Sequence, residues 1–242
     1  GGSSPSSATK NQSIKSTHTS NEKSTMIDYL RAILKVLFSK KQSRTYYSQF
    51  GEDAVLRELL GKRYPKSSYL DIGCYHPRKH SNTYFLYKLG WSGMLVDIEK
   101  AKLIACKMIR PRDKTLLCAV SNNKGTVPFF APKKYSVLTS LIKINDTFKQ
   151  IGTIEQKTIS EIIDINLNGD CPTVLSIDIE GKDYDAIKGI DFNRHSPKFI
   201  LIECWNDFDI DRILQGKIHR KLTENNYELT SWTVNTLIYR LK

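Results

Sequence analysis

The apolar segment SYLDIG, residues 68 to 73, is typical of a buried β-strand with a carboxylate and a glycine at its end. Segments of the same kind recur along the chain, and amphipathic helical patterns separate them. They are GMLVDI (93–98), TVLSIDI (173–179) and KFILIEC (198–204). Apolar strands that alternate with amphipathic helices predict a parallel sheet with helices on both faces.

The remaining elements complete this pattern. Helices are predicted at 52–63, 81–90, 100–110, 158–165, 182–190 and 209–225, and a further strand at TLLCAVS, residues 115–121. A short apolar run, TVPFF (126–130), comes next, and the loop-rich stretch over about 126 to 156 is expected to cover the substrate side.

The last two strands differ from the others in how they are connected. YELTSWT (227–233) and TLIYRL (236–241) are joined by a turn too short for a crossover, so we expect them to pair antiparallel. The sequence thus predicts an α/β fold with a mostly parallel seven-stranded sheet and a C-terminal antiparallel hairpin. This arrangement resembles the Rossmann-like fold of the class I methyltransferases, a likeness of fold alone.

The N-terminal region differs in composition from the rest of the chain. Residues 1–25 have little that could drive burial, open on a GGSS resembling a cloning scar, and are predicted to be disordered. Residues 26–45 predict an amphipathic helix, over 26–38, and a linker. The helix is too short to span a bilayer, and it packs either on protein or weakly on a membrane surface. Residues 46–242 form the predicted methyltransferase domain.

The basic charge of the chain does not by itself indicate nucleic-acid binding. The formal net charge is +12, and the first 46 residues, with eight basic and two acidic side chains, supply +6 of it. That segment lacks clustered arginine with interleaved aromatic residues, so we expect no specific nucleic-acid partner. The five cysteines include no C-x-x-C pair, which indicates a reducing compartment and favours a cytoplasmic location.

Two strand-end carboxylates point to a nucleoside-containing cofactor. Asp71 and Gly73 end the first predicted strand, and Asp97 ends the second, where an acidic side chain can accept hydrogen bonds from both ribose hydroxyls. The phosphate-binding pattern G-x-G-x-x-G is missing after the first strand. This favours S-adenosylmethionine, which has no pyrophosphate; the alternative is that both carboxylates only cap helices.

The segment IDIEG, residues 177 to 181, carries the catalytic candidates. In a continuous strand, Asp178 and Glu180 would point to the same side and converge at the carboxyl edge of the sheet. They could act as bases, or hold Mg²⁺ or Mn²⁺ together with Glu203. His76 and His195 are lesser base candidates. The alternative for Asp178 and Glu180 is helix capping.

Seven separated motifs, in order, resemble the FkbM-type methyltransferases. They are YSQFGED (47–53), DIGCYHPRKHSNT (71–83), GWSGMLVDIE (90–99), AVSNNKG (119–125), TSL (139–141), LSIDIEGKDYDAIKGIDF (175–192) and KFILIE (198–203). The resemblance implies an enzyme that uses S-adenosylmethionine to methylate hydroxyl groups, commonly on sugars or secondary metabolites.

The resemblance also implies which residues contact the cofactor. Those expected at the methionine end are Asp71, Gly73, Ser81, Asn82 and Thr83, together with Ser48 and Gln49 from a lid segment. Those expected at the adenosine end are Asp97 on the ribose, with Ile98, Ala119 and Val120 around the adenine. Ile98 departs from the proline of many relatives, and Cys74 from the commoner alanine; both are small changes of apolar lining.

These observations predict an S-adenosylmethionine-dependent O-methyltransferase whose acceptor is a glycan or a sugar-containing metabolite. The alternatives are an RNA or protein methyltransferase and a non-catalytic binding module with a methyltransferase-like fold. The chain has no aromatic-flanked Asn-Pro-Pro motif of the kind that holds a planar exocyclic amine, which disfavours base methylation.

Overall fold

The computed structural model describes residue 1 and residues 26–38, 45–61, 67–133, 139–204 and 209–242. It divides into two compact units, Gly1–Thr45 and Tyr46–Lys242. The predicted disorder of residues 1–25 falls, apart from Gly1, outside the described residues.

The first unit contains helix α1, residues 26–37, where the sequence predicts a helix. Its large apolar side chains are exposed, from Ile33 at 39% to Phe38, just beyond its end, at 78%. No helix among the described residues is both long enough and apolar enough to cross a membrane. Weak contact of this helix with a membrane surface stays a prediction.

The second unit is built on a seven-stranded sheet with strand order β3-β2-β1-β7-β8-β10-β9. Its strands are β1 (Ser68–Ile72), β2 (Ser92–Asp97), β3 (Lys114–Leu117), β7 (Val174–Ile177), β8 (Phe199–Glu203), β9 (Tyr227–Thr233) and β10 (Thr236–Leu241). Only β10 pairs antiparallel, with β8 on one side and β9 on the other. The predicted parallel sheet with its C-terminal hairpin is therefore confirmed.

Helices cover both faces of this sheet because successive strand residues point to opposite sides. The helices are α2 (Glu52–Leu60), α3 (Tyr84–Lys88), α4 (Lys100–Ile109), α5 (Ile159–Asn166), α6 (Asp183–Lys188), α7 (Ile210–Gln215) and α8 (Lys217–Thr223). Leu70 and Ile72 of β1 pack in one core with residues of α5 to α8. Tyr69 between them packs in a second core with residues of α2, α3 and α4.

A second sheet replaces the loop predicted over residues 126 to 156. It has three strands, in the order β4 (Ala119–Val120), β6 (Lys149–Lys157) and β5 (Gly125–Ala131). The prediction was wrong because β5 and β6 are largely solvent-exposed and carry few buried residues. The predicted strand over 115–121 is also divided, between β3 of the large sheet and β4 of the small one.

Two helix predictions were wrong in extent. The helix predicted over 81–90 is only α3, since Ser81 and Thr83 belong to the preceding loop. The helix predicted over 209–225 is two helices, α7 and α8, which meet at Gly216, whose extended backbone cannot continue a helix.

A fully buried arginine ties several of these elements together. Arg110 follows α4, has no solvent exposure, and its Nε donates to Asp113 Oδ2 at 2.6 Å. Its other nitrogens donate to Ser81 Oγ at 3.3 Å and Thr83 Oγ1 at 3.0 Å. Asp113 also accepts from the Tyr69 hydroxyl at 2.7 Å and from the Gly93 amide at 2.9 Å. One ion pair thus joins α4, β1, β2 and the loop before α3.

Replacing Arg110 with alanine should lower the free energy of unfolding by about 3 to 5 kcal/mol, because Asp113 would be left buried without its cation. Chemical denaturation with urea measures this loss. Arg220→Ala, on the exposed face of α8, is the matched control and should change stability by no more than about 0.5 kcal/mol. A loss below about 1 kcal/mol for Arg110→Ala would contradict the assigned role.

Candidate functional site

A cavity of about 380 Å³ opens at the carboxyl ends of β1, β2 and β7. This is the edge at which open α/β sheets bind ligands, and the volume lies in the range of small-molecule sites. Of the predicted site residues, the cavity is lined by Gln49, Gly73, Asp97, Ile98, Val120, Asp178 and Glu180. The structure therefore brings the predicted ribose, adenine and catalytic positions to one place.

Gly73 allows the loop after β1 to pass close to the end of β7. Its φ is +81°, and a Cβ placed there would lie 1.7 Å from the Asp178 carbonyl oxygen. The Gly73 and Cys74 amides both donate to the Val96 carbonyl of β2. A side chain at this position would displace the backbone that carries Asp178, so the position of Asp178 in the cavity depends on a glycine at residue 73.

Asp97 lies on the cavity wall with capacity for further hydrogen bonds. The carboxylate accepts from the Tyr75 amide at 3.2 Å and from the Glu99 amide at 2.9 Å, and Lys102 Nζ lies 3.7 Å away. Burial raises the Asp97 pKa, and Lys102 opposes this rise. A carboxylate can accept about four hydrogen bonds, so two lone pairs are left for a ligand.

The apolar wall of the cavity comes from β2 and from the start of the small sheet. Ile98 and Val120 line it as predicted, whereas Ala119 is fully buried and turned away. Cys118 takes its place, because residues 118 and 120 share one side of the extended backbone.

Asp71, Ser81, Asn82 and Thr83 were predicted to contact the cofactor but lie behind the cavity wall. Thr83 Oγ1 donates to the Asp71 carboxylate, and Asn82 Nδ2 donates to Ser176 Oγ at 3.3 Å. Burial raises the Asp71 pKa, and the positive charge of Arg110 works against it. These side chains hold the loop between β1 and α3 in place and do not line the cavity.

The lid segment before α2 contributes one of its two predicted residues. Gln49 lines the cavity, but Ser48 Oγ donates to Asp53 Oδ1 at 2.8 Å and accepts from the Asp53 amide. The Asp53 carboxylate also accepts from the Tyr47 amide, and Glu52 accepts from the Phe50 amide. Both acidic residues are buried, and they fold the segment so that Gln49 faces the cavity.

Asp178 and Glu180 reach the cavity from a turn, so their predicted placement in a strand was wrong. β7 ends at Ile177, and Glu180 has a φ of +53°. The Asp183 carboxylate holds the turn by accepting from the Ile179 amide at 3.1 Å and the Gly181 amide at 3.0 Å. Burial raises the pKa of Asp183 to about 6. Asp183 was not predicted as a site residue, although an aspartate at a helix start is a capping signal.

Asp178 forms a carboxyl pair with Glu203, which ends β8. Asp178 is an exposed residue that lines the cavity, although nearby protein still partly desolvates its carboxyl group. Burial raises the Asp178 pKa, and the charge of Glu203 and a hydrogen bond between the two carboxyl groups raise it further. Two carboxyl groups in contact share a proton, since two adjacent negative charges repel.

The three carboxylates do not form the predicted metal site. Among the described residues, no group of three or more His, Cys, Asp or Glu side chains is placed to hold a metal ion. Asp178 and Glu203 instead form a hydrogen bond with each other.

Neither predicted histidine lines this cavity. His76 lies in a neighbouring depression, and its Nδ1 accepts from the Arg78 and Lys79 amides at 3.1 and 2.9 Å. His195 is buried at the amino end of β8, on the opposite edge of the sheet, with Nε2 3.1 Å from Asp164 Oδ1. Both histidines therefore have structural partners away from Asp178.

Several cavity residues were not predicted as site residues. They are Tyr75, His80, Lys102, Thr139, Ser140, Leu141, Ile142, Ile179 and Lys182. Tyr75 and Thr139 lie within the family motifs quoted above, and those motifs could have identified them as site residues. Lys102 gave no such signal, because its position beside Asp97 depends on the direction in which α4 leaves β2.

Comparison with known proteins identifies one matching family. A family model described as "Methyltransferase FkbM domain" matches residues 71–229. No curated protein matches the chain significantly.

Solved structures resemble the chain only distantly. A TehB-like SAM-dependent methyltransferase from Corynebacterium glutamicum is 12% identical, with a TM-score of 0.42 over 93% of this chain and 99% of that one. A precorrin-6y C5,15-methyltransferase from Geobacter metallireducens is 12% identical, with a TM-score of 0.41 over 78% and 88%. These likenesses are too distant to bear on the site.

Asp178→Asn should stabilise the protein at neutral pH. A carboxyl group with a raised folded-state pKa binds its proton more tightly when folded, so stability is greatest below its unfolded pKa of about 4 and falls as pH rises. Water in the cavity screens the effect, so we expect Tm to rise by about 2 to 4 °C at pH 7.5.

The same substitution should leave Tm unchanged near pH 4, where Asp178 is protonated. Thermal unfolding followed by circular dichroism at both pH values measures the difference, with the exposed Asp170→Asn as control. A lower Tm at pH 7.5 would contradict the raised pKa of Asp178.

Proposed function

Because the chain belongs to the FkbM methyltransferase family, whose members depend on S-adenosylmethionine, we propose that it methylates a hydroxyl group of a carbohydrate, in a glycan or a sugar-containing metabolite. The observation that carries the proposal is one cavity lined by a hydrogen-bonding carboxylate, Asp97, and by a second carboxyl group, Asp178, whose pKa is raised in part by its partner Glu203.

The cavity suits the cofactor in size and chemistry. Asp97 has two lone pairs for the ribose hydroxyls, and the apolar side chains of Ile98 and Val120 stand where a flat adenine would pack. Gly73 brings its backbone to the cavity surface without a side chain in the way. Gln49 offers an amide at the segment predicted to cover the methionine end.

The chain's own contribution to the reaction is to hold the acceptor and take its proton. When bound, S-adenosylmethionine supplies an electrophilic methyl group on a sulfonium centre. A hydroxyl becomes a good nucleophile as it loses its proton, and a carboxylate with a raised pKa is a stronger base at neutral pH. Once it has lost its own proton, the Asp178 carboxylate would accept the proton of the acceptor hydroxyl as that oxygen takes the methyl group that the bound cofactor would supply.

The remaining polar lining supports a carbohydrate as the acceptor. Glu180 offers carboxylate oxygens, and Thr139 and Ser140 offer hydroxyl groups around the same cavity. Donors and acceptors placed around one opening match the several hydroxyl groups of a sugar and can fix which one reacts.

Asp97→Ala should weaken S-adenosylhomocysteine binding by about 10²- to 10⁴-fold, since two charge-assisted hydrogen bonds are lost and each costs about 1.5 to 3 kcal/mol. Isothermal titration calorimetry measures the affinity, with Asp170→Ala as a control away from the cavity. An affinity equal to that of the unmodified chain would remove Asp97 from the cofactor site.

Asp178→Asn should lower kcat for methyl transfer by about 10²- to 10⁴-fold, because the base is lost, while S-adenosylhomocysteine affinity stays within about threefold. Release of S-adenosylhomocysteine over a panel of sugars and glycans measures turnover. In the unmodified protein kcat should rise with pH, as Asp178 loses its proton. Turnover on RNA or protein acceptors alone would refute the carbohydrate proposal.

A further inference from the structure

A basic and aromatic loop borders the cofactor cavity and has no role in the function proposed above. It runs from Tyr75 to His80, with the sequence YHPRKH. On one side it lines the main cavity, and on the other it lines a depression of about 430 Å³ against α4. Tyr75 and Lys102 line both, so the two spaces are neighbours.

The backbone of this loop is held in a fixed shape. Tyr75 and His80 have φ values of +40° and +56°, a region that non-glycine residues rarely adopt. The Tyr75 amide donates to Asp97, and the His76 ring accepts from the two amides that follow Pro77. Strained residues held by such contacts are typical of functional loops.

Arg78 and Lys79 are the cations that this loop presents to solvent. Both side chains are exposed, and neither forms an ion pair with a carboxylate in the described part of the chain. Lys102 is committed to Asp97, and burial together with the charge of Lys79 lowers the pKa of His76. Arg78 lines the depression, and Lys79 is the next residue of the same loop, so a guanidinium group in the depression and an ammonium group beside it are available for an anion.

The catalytic end of the main cavity keeps a net negative charge, because Glu180 and the Asp178–Glu203 pair together outweigh Lys182, which lines the same end. An acceptor with an anionic group would be repelled from these carboxylates and attracted to Arg78 and Lys79. The same charge separation would leave its neutral hydroxyl groups facing Asp178. An acceptor with an anionic group at one end is thus favoured in one orientation, with that group at Arg78 and Lys79 and its hydroxyl groups at Asp178.

We propose that the depression beside α4 binds a phosphate group of the acceptor, so that the substrate is a phosphorylated carbohydrate and not a neutral one. An arginine fork binds phosphate oxygens in pairs, and a lysine adds a point charge. Tyr75 and His80, whose rings stack with centroids 6.4 Å apart, form an aromatic surface between the phosphate position and the main cavity. This inference rests on the proposed function.

Inorganic pyrophosphate is the probe that tests the site without turnover. We expect it to bind saturably to the protein saturated with S-adenosylhomocysteine, as measured by calorimetry. The double variant Arg78→Glu/Lys79→Glu should bind it at least tenfold more weakly, with unchanged S-adenosylhomocysteine affinity.

The matched control is Lys217→Glu/Arg220→Glu, which makes the same charge change on exposed residues of α8. It should leave pyrophosphate affinity within about twofold, since the contact with phosphate is local. Equal losses in both variants would show attraction to net charge alone and would overturn the inference, as would no saturable binding by the unmodified protein.

Two further outcomes would overturn it in favour of another ligand. A loss of S-adenosylhomocysteine affinity in Arg78→Glu/Lys79→Glu would place these cations on the cofactor carboxylate. Displacement of pyrophosphate by a single-stranded oligonucleotide at micromolar concentration would assign the site to nucleic acid. Unchanged cofactor binding and turnover on neutral sugars, with no pyrophosphate site, would overturn this inference and leave the proposed function intact.

Discussion

The buried ion pair of Arg110 and Asp113 is the interaction on which the candidate site depends. Neither side chain has any solvent exposure, and through Thr83 the guanidinium is linked to Asp71 at the end of β1. A charge buried in this way is stable only while all of its partners are in place. The loop between β1 and α3, which includes Gly73 and the residues from Tyr75 to His80, is therefore fixed at one end by the core and at the other by Asp97.

This arrangement separates the residues that shape the site from those that would touch a ligand. Asp71, Ser81 and Thr83 act from behind the wall, as do Asp53 beneath the lid segment and Asp183 beneath the turn of Asp178. Buried carboxylates thus position three of the loops that meet at the cavity, and a site needs such support to keep its geometry. The exposed faces of the same loops then divide by charge into an acidic end and a basic end.

The sequence predicted the large sheet and the general position of the cavity because both follow from periodicity. Buried parallel strands such as β7 are continuous apolar runs, and the carboxyl edge of such a sheet is where ligands bind. It did not predict the small sheet, since the exposed strands β5 and β6 lack that signal. The motifs also could not show that Asp97 lines the cavity while Asp71 does not. That difference depends on the packing around Arg110, which holds the Asp71 carboxylate in the core through Thr83.

A crystal structure of the protein with S-adenosylhomocysteine tests the central claim most directly, because it places the cofactor in the cavity or outside it. The account predicts that both ribose hydroxyls lie within about 2.6 to 3.2 Å of the Asp97 carboxylate oxygens, with the sulfur atom on the side of Asp178. A ribose bound away from Asp97, or a sulfur atom facing away from the Asp178 and Glu203 pair, would contradict it.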